Sequence, residues 1–225
     1  MDQFQQVAAL ADPLRRRLYA FVADQADAVS REEAAEGAKV PLHTARFHLE
    51  RLVEEGLLET EFRRLTGRSG PGAGRPSKLY RRASVEVSVS LPPRSYDLVG
   101  SVLAGAVARS LAGEPLDDAL SAEARRRGEQ AGSSYDGPAG DDVSRTAGLL
   151  DREGFEPDVD GDGITLRNCP FDALAQEQPT VVCGVNLAYL CGALDGLGCA
   201  HLAARLEPAP DRCCVTIESV TAQSR

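Results

Sequence analysis

The sequence predicts an α+β fold: an N-terminal winged helix-turn-helix domain followed by a C-terminal mixed α/β sensor domain. Three observations predict it. Residues 1–82 read as short amphipathic helices followed by two strands around a glycine-rich basic loop. Residues 154–225 mix strand alternation with helical period. All six cysteines, Cys169, Cys183, Cys191, Cys199, Cys213 and Cys214, fall in the last quarter of the 225 residues. The expected division is 1–90 for the winged helix-turn-helix, 91–153 for a helical linker and dimerisation region, and 154–225 for the cysteine-containing sensor domain.

Each amino-terminal element has a local signal. Phe4, Val7 and Leu10 recur at helical period. Asp12 before Pro13 starts a second helix, with Asp as cap and Pro in the first turn. Leu14, Leu18, Phe21 and Val22 share one face of it. Ser30 with Glu33 three residues on is a capping box. Gly37 ends that short helix, and residues 38–41 form a turn. The next helix spans Leu42–Glu55, with Ala45, Leu49, Leu52 and Val53 inward and Gly56 as its cap. This order is a helix-turn-helix, whose last helix enters a major groove by its amino-terminal half.

The candidate base and phosphate contacts follow. Arg46 has the fork to donate twice to a guanine edge, Thr44 suits a base or a phosphate, and His43 suits either. Phe47 and His48 read equally as exposed or packed. Leu57–Arg64 and Leu79–Arg82 read as strands flanking a loop with four glycines and two prolines, which makes a wing. Arg68, Arg75 and Lys78 are placed to follow phosphates, and Arg75 to enter a minor groove. The loop lacks the order of a phosphate-binding P-loop.

The net charge of -9 argues against nucleic acid until its distribution is read. Residues 1–90 hold 14 Lys/Arg and 13 Asp/Glu, a net of +1, whereas residues 91–225 hold 11 and 21, a net of -10. Phe62–Arg82 carries seven basic residues and no acidic one. A local patch, not the whole-chain charge, is the footprint for phosphate.

Beyond the wing, residues 84–93 read as a strand or an extended linker. Helices are expected at Tyr96–Leu111, Pro115–Ala131 and Asp141–Arg152, the first with small residues that permit close helix contact and a face suited to a dimer interface or to core packing. Phe155–Val159 and Ile164–Leu166 read as a hairpin. Asp158, Asp160, Asp162 and Gly163 mimic the start of a calcium loop, but Cys169 stands where a bidentate Glu is needed. A short helix over residues 171–178, a long one over Thr180–Leu197, and strands at His201–Leu206 and Cys213–Val220 complete the chain.

Spacing sorts the cysteines. Cys169 and Cys183 flank a short helix and can meet, and one of Cys213 and Cys214 returns on a neighbouring strand. Adjacent strand residues face opposite ways, so only one of that pair is expected at a shared site. Cys183 and Cys191 lie roughly 12 Å apart along a helix, awkward for one compact centre. The expected metal ligands are Cys169, Cys183 and Cys213, with Cys214 beside them and Cys199 or Cys191 open as the fourth. The absence of any CxxC pair weakens zinc. Unliganded packing and a thiol redox switch are the metal-free readings.

The stretches VPLHTARFHLERLVEEGLLE and GRPSKLYR resemble the winged-helix regulators of the ArsR-like family. That resemblance implies a transcriptional regulator bound as a homodimer to a palindromic double-stranded DNA operator. With no cysteine in residues 1–168, metal sensing beside the recognition helix is not expected. NCPF, VVCGVNLAYLCGALDGLG and RCCVTI resemble the SufR-like, iron–sulfur-responsive branch of these repressors. This second resemblance implies one [4Fe-4S] cluster per subunit, whose presence changes operator affinity. The branch carries a further cysteine shortly after the first, where this chain has Ala173.

The expected function is therefore a cytoplasmic DNA-binding repressor controlled by an iron–sulfur cluster. A thiol switch, a zinc site or a small organic effector site are the alternatives. No run of 18 apolar residues suggests a membrane span. The chain carries no Ser-His-acid or paired-carboxylate motif, so it is not expected to be an enzyme; a cysteine-based activity pairing Cys183 with His201 is the remote alternative.

Overall fold

The structure is a computed structural model; it describes residues 3–64 and 76–220 and comprises two compact units, residues 1–89 and 90–225. The first unit runs α1 (Gln3–Ala9), α2 (Pro13–Ala23), β1 (Val29–Ser30), α3 (Arg31–Gly37), α4 (Leu42–Glu54), β2 (Leu58–Arg63) and β3 (Ser77–Arg82). Local chemistry starts two helices where the sequence places them. Asp12 accepts from the Leu14 and Arg15 N–H groups ahead of Pro13, and Ser30 and Glu33 form a reciprocal capping box. Leu18, Leu49 and Leu52 are fully buried and join α2 to α4.

The strands form an antiparallel sheet in the order β1-β3-β2. Two residues long, β1 is too short to leave an alternation signal. Residues 84–93 form no strand; Val87 instead packs against the first unit's core. The strand pair of the wing is thus in place. Arg68 and Arg75, expected on its loop, lie outside the described residues.

The second unit contains α5 (Tyr96–Leu111), α6 (Leu116–Ser133), α7 (Asp142–Arg152), β4 (Pro157–Asp160), β5 (Gly163–Leu166), α8 (Asp172–Glu177), α9 (Pro179–Leu197), β6 (Leu202–Leu206) and β7 (Val215–Ser219). Its sheet is antiparallel, ordered β4-β5-β7-β6. The expected separation of 91–153 from 154–225 does not hold. Val99, Val102, Ala124, Leu149 and Leu150 share one core with Phe155, Leu166, Phe171, Leu190 and Ile217. The reason is α9, a largely apolar helix whose Val182, Val185, Tyr189, Leu190, Leu194 and Leu197 are buried in the core that both stretches share. Among the described residues it is the one helix long and apolar enough to cross a membrane, and half of it is buried within the unit.

Gly105 lets α5 lie close to Glu123 of α6, and a still closer contact, backbone to backbone, joins α6 and α9. A Cβ on Gly128 would stand 1.9 Å from the Tyr189 carbonyl oxygen, and one on Gly192 2.0 Å from that of Arg125. Gly132 and Gly196 repeat the arrangement one turn on. The helices therefore touch backbone to backbone, and this contact sets the position of α9.

Glu123 on α6 is nearly fully buried and paired with Arg126 and, at 3.2 Å, Arg127. The Arg126 hydrogen bonds hold its carboxyl below the ordinary 4.5, against the opposing effect of burial. A depressed folded pKa contributes stability that is present above the unfolded value and lost as pH falls through the folded one. Acid titration of denaturant midpoints is thus expected to show the second unit weakening below about pH 4.5, with Glu123→Gln flattening that limb. An unchanged limb in the variant would refute the assignment.

Candidate nucleic-acid interface and cysteine cluster

Helix α4 presents a polar face through its amino-terminal half. Ala45, His48, Leu49 and Leu52 are buried, while His43, Arg46 and Phe47 are exposed and Thr44 is partly so. The two aromatic residues left open by sequence thus divide. His48 turns inward, where Arg15 Nε approaches its Nδ1 at 3.5 Å. Phe47 is 66% exposed and meets His48 edge to face.

Lys78 projects from β3 onto this helix. Its Nζ lies 2.6 and 2.8 Å from the Glu50 carboxylate oxygens, and the Tyr80 hydroxyl donates to the same group at 2.8 Å. Burial opposes ionisation of Glu50, but the Lys78 and Tyr80 hydrogen bonds outweigh it and hold the carboxyl below its ordinary value. The Tyr80 hydroxyl is driven up by burial and by the same bond. Lys78 is therefore first a brace between β3 and α4, and only its remaining capacity faces outward. Ion pairing trims the basic patch further, since Arg81 meets Glu59 across the strands at 2.8 Å and Arg63 meets Glu61 along β2 at 3.5 Å. Both acids lie just outside the window that looks purely basic in sequence.

In the second unit, four cysteines from three segments converge. Cys169 follows β5, Cys183 is in the first turns of α9, and Cys213 and Cys214 lie in the bend before β7. Cys213 is buried and the others partly so, all as free thiols. Cys169 and Cys214 each share a hydrogen bond with Cys213, and Cys183 with Cys214. The expectation that only one of Cys213 and Cys214 faces the group is overturned. Strand alternation does not govern them, because β7 begins at Val215.

Asn186, three residues after Cys183 on α9, completes the group. Its Nδ2 donates to Cys213 Sγ at 3.1 Å, while its Oδ1 is buried without a partner among the described residues. Bonds from Cys169, Cys214, the Val215 backbone and Asn186 push the Cys213 thiol well below its ordinary value despite burial. The same contacts push Cys169 and Cys214 upward. The group thus gathers its neighbours' bonds on the Cys213 sulfur.

Cys191 and Cys199 stand apart from this group. They line a shallow pocket with Arg125, Asp195 and Leu202. The Thr146 hydroxyl approaches Cys199 Sγ at 3.7 Å. Ala173 is exposed on α8, and His201 is exposed just before β6. Asp158 and Asp160 sit on β4 of a two-residue hairpin, the geometry of a turn and not of a calcium loop.

Among the described residues, no three His, Cys, Asp or Glu side chains enclose a point in the way a single metal ion requires. The sulfurs form an open chain, Cys169–Cys213–Cys214–Cys183, whose ends interact only through their charges. Four thiols, one of them bonded by an amide N–H, are donors of the kind that hold either an iron–sulfur cluster or a zinc ion. Four sulfurs about 2.3 Å from one zinc ion would have to close into a tetrahedron.

Residues 10–61 match the sequence family described as helix-turn-helix domain. The match covers α2, α3, α4 and most of β2, and it supports a winged-helix regulator family for the first unit. Comparison with curated proteins and with solved structures gave no match. The class defined by fold and match is a helix-turn-helix protein, α+β overall, of the kind that acts as a DNA-binding transcriptional regulator.

Proposed function

We propose that this chain is a cytoplasmic, iron–sulfur-controlled transcriptional repressor of the SufR-like branch, binding a palindromic operator as a homodimer. The observation that carries this reading is the convergence of Cys169, Cys183, Cys213 and Cys214, with Asn186 donating to sulfur. Those four cysteines would hold a [4Fe-4S] cluster, which when bound supplies a redox couple sensitive to oxygen. Asn186 orients Cys213 and lowers the electron density on its sulfur. The outward face of α5 supports the homodimer: Tyr96, Gly100, Leu103, Ala104, Val107, Ala108 and Leu111 are exposed and uncharged along the length of the helix. On the DNA side, Arg46 reads a base edge, Thr44 and His43 assist, and Glu50 fixes α4 against the wing through Lys78 and Tyr80.

The free thiols of Cys169 and Cys214 beside Cys213 also favour a second reading, a metal-free disulfide switch. Anaerobic purification with iron and sulfide analysis separates the two. A brown protein near four irons and four sulfides per chain is expected. A colourless protein whose operator binding follows thiol oxidation would select the switch. For the DNA half, Arg46→Ala is expected to cost about 10- to 100-fold at an operator selected from random DNA. Binding to unrelated duplex should change little, and equal losses on both would remove Arg46 from base reading.

A further inference from the structure

Resting on that functional reading, we propose that Arg94 is the positioning residue that ties the Cys169 loop to the chain segment leading out of the DNA-binding unit, and so transmits the state of the cysteine site to operator affinity.

The contacts converge on both sides of Cys169. Arg94 Nη1 donates to Asn168 Oδ1 at 2.5 Å and to the Cys169 carbonyl at 3.3 Å. Its Nη2 lies 3.7 Å from Asp172. The Asn168 amide donates in turn to the carbonyls of Pro93, at 3.0 Å, and Gly154, at 2.6 Å. The Ser95 N–H donates to the Pro170 carbonyl at 3.0 Å. Residues 168, 169, 170 and 172 therefore grip residues 93, 94 and 95.

The grip leaves little slack. Arg94 is an arginine held largely out of water, its side chain 18% exposed. Asn168 is buried, with both ends of its amide engaged. Gly154 takes φ +85°, and a Cβ there would stand 2.7 Å from Pro93 Cβ, so this wall of the segment admits only glycine. On the other side, Val87 packs against the core of the first unit. Six chain steps separate Val87 from Pro93, a reach of at most about 22 Å. A short tether fastened at both ends transmits displacement that a long flexible one absorbs.

The coupling works through geometry alone. Ligation constrains the position of Cys169, whose backbone carbonyl and flanking residues are the acceptors for Arg94 and Ser95. Displacing that loop displaces the segment at residues 93–95. An arrangement in which one element is biased by both sites is what coupling free energy requires.

The test compares operator affinity with the cluster loaded and removed, in wild type, in Arg94→Ala and in a chain with Gly-Gly-Ser inserted after Ser90. A labelled duplex selected from random DNA by the wild-type protein serves as probe, and iron content and visible absorbance are read on every sample. Both altered proteins are expected to retain wild-type iron while their loaded-to-free affinity ratio falls to within about 2-fold of unity, from about 10-fold or more in the wild type. The insertion leaves the Cys169 loop untouched, so it remains informative should Arg94→Ala fold poorly. Full wild-type ratios with iron retained would overturn the proposal, as would loss of iron from Arg94→Ala alongside a full ratio in the insertion. A wild-type protein that holds no cluster, or whose affinity ignores it, would instead overturn the functional reading beneath it.

Discussion

Gly128→Ala is expected to unfold the second unit at temperatures the wild type tolerates, while leaving the first unit's transition in place. One added methyl would lie 1.9 Å from the Tyr189 carbonyl oxygen. The obstacle is backbone, so no side-chain rotation relieves it. Overpacking typically costs 1–3 kcal/mol, and about 3 kcal/mol or more is expected where two helix backbones must part. Gly192→Ala should behave alike, since its Cβ would strike the Arg125 carbonyl from the opposite helix. By contrast, Gly100→Ala meets nothing within 4 Å in its own chain and should leave the α6–α9 contact, and with it the fold of the subunit, intact. Circular dichroism melts of the three variants test the contrast. Equal melting temperatures in Gly128→Ala and Gly100→Ala would show that α6 and α9 can separate freely. Movement of α9 would also carry Cys183 and Asn186 with it, so cluster yield should fall with stability.

With the proposed cluster on the cysteine group, Cys213→Ser should reduce iron and sulfide to background while the chain stays folded. Cys213 is the sulfur on which Cys169, Cys214 and Asn186 converge. Serine keeps the shape and the hydrogen bonds but offers iron a poorer ligand. Cys191→Ser and Cys199→Ser should retain iron, because those residues line a different pocket. The loaded-to-free affinity ratio should drop to unity in Cys213→Ser and persist in the other two. Full iron content in Cys213→Ser would remove it from the ligand set, and loss of iron from Cys191→Ser would show that the centre is not the one built here.

The amino-terminal unit was largely legible because its signals are local. Asp12–Pro13, Ser30 with Glu33, and the inward spacing of Ala45, Leu49 and Leu52 each act within one or two turns of helix. What spacing missed there is long-range. Glu50 is an ordinary surface acid in sequence, yet it binds Lys78 and Tyr80 from a strand about thirty residues on. The two orientations of Phe47 and His48 were likewise undecided until α2 packed against α4 and Arg15 reached His48.

The cysteines divide in the same way. Spacing along the helix separated Cys183 from Cys191, and the structure places them in different surroundings. Strand alternation misjudged Cys213 and Cys214, because a bend begins one residue too early for the rule to hold. Asn186 gave no signal at all. An asparagine in an apolar helix reads as a packing defect until a sulfur from a distant bend is found beside it.

The sequence by itself determined the helix-turn-helix order, the place of the wing strands and the region that concentrates the thiols. Those features rest on capping, periodicity and composition, which operate between near neighbours. Only the tertiary structure decided that α5–α7 belong to the cysteine-bearing unit, that glycines bring α6 and α9 into backbone contact, and that Arg94 grips the loop of Cys169. Each of these joins residues far apart in the chain, and the energy that selects them, burial of a largely apolar helix and satisfaction of buried polar groups, exists only once the chain has closed on itself.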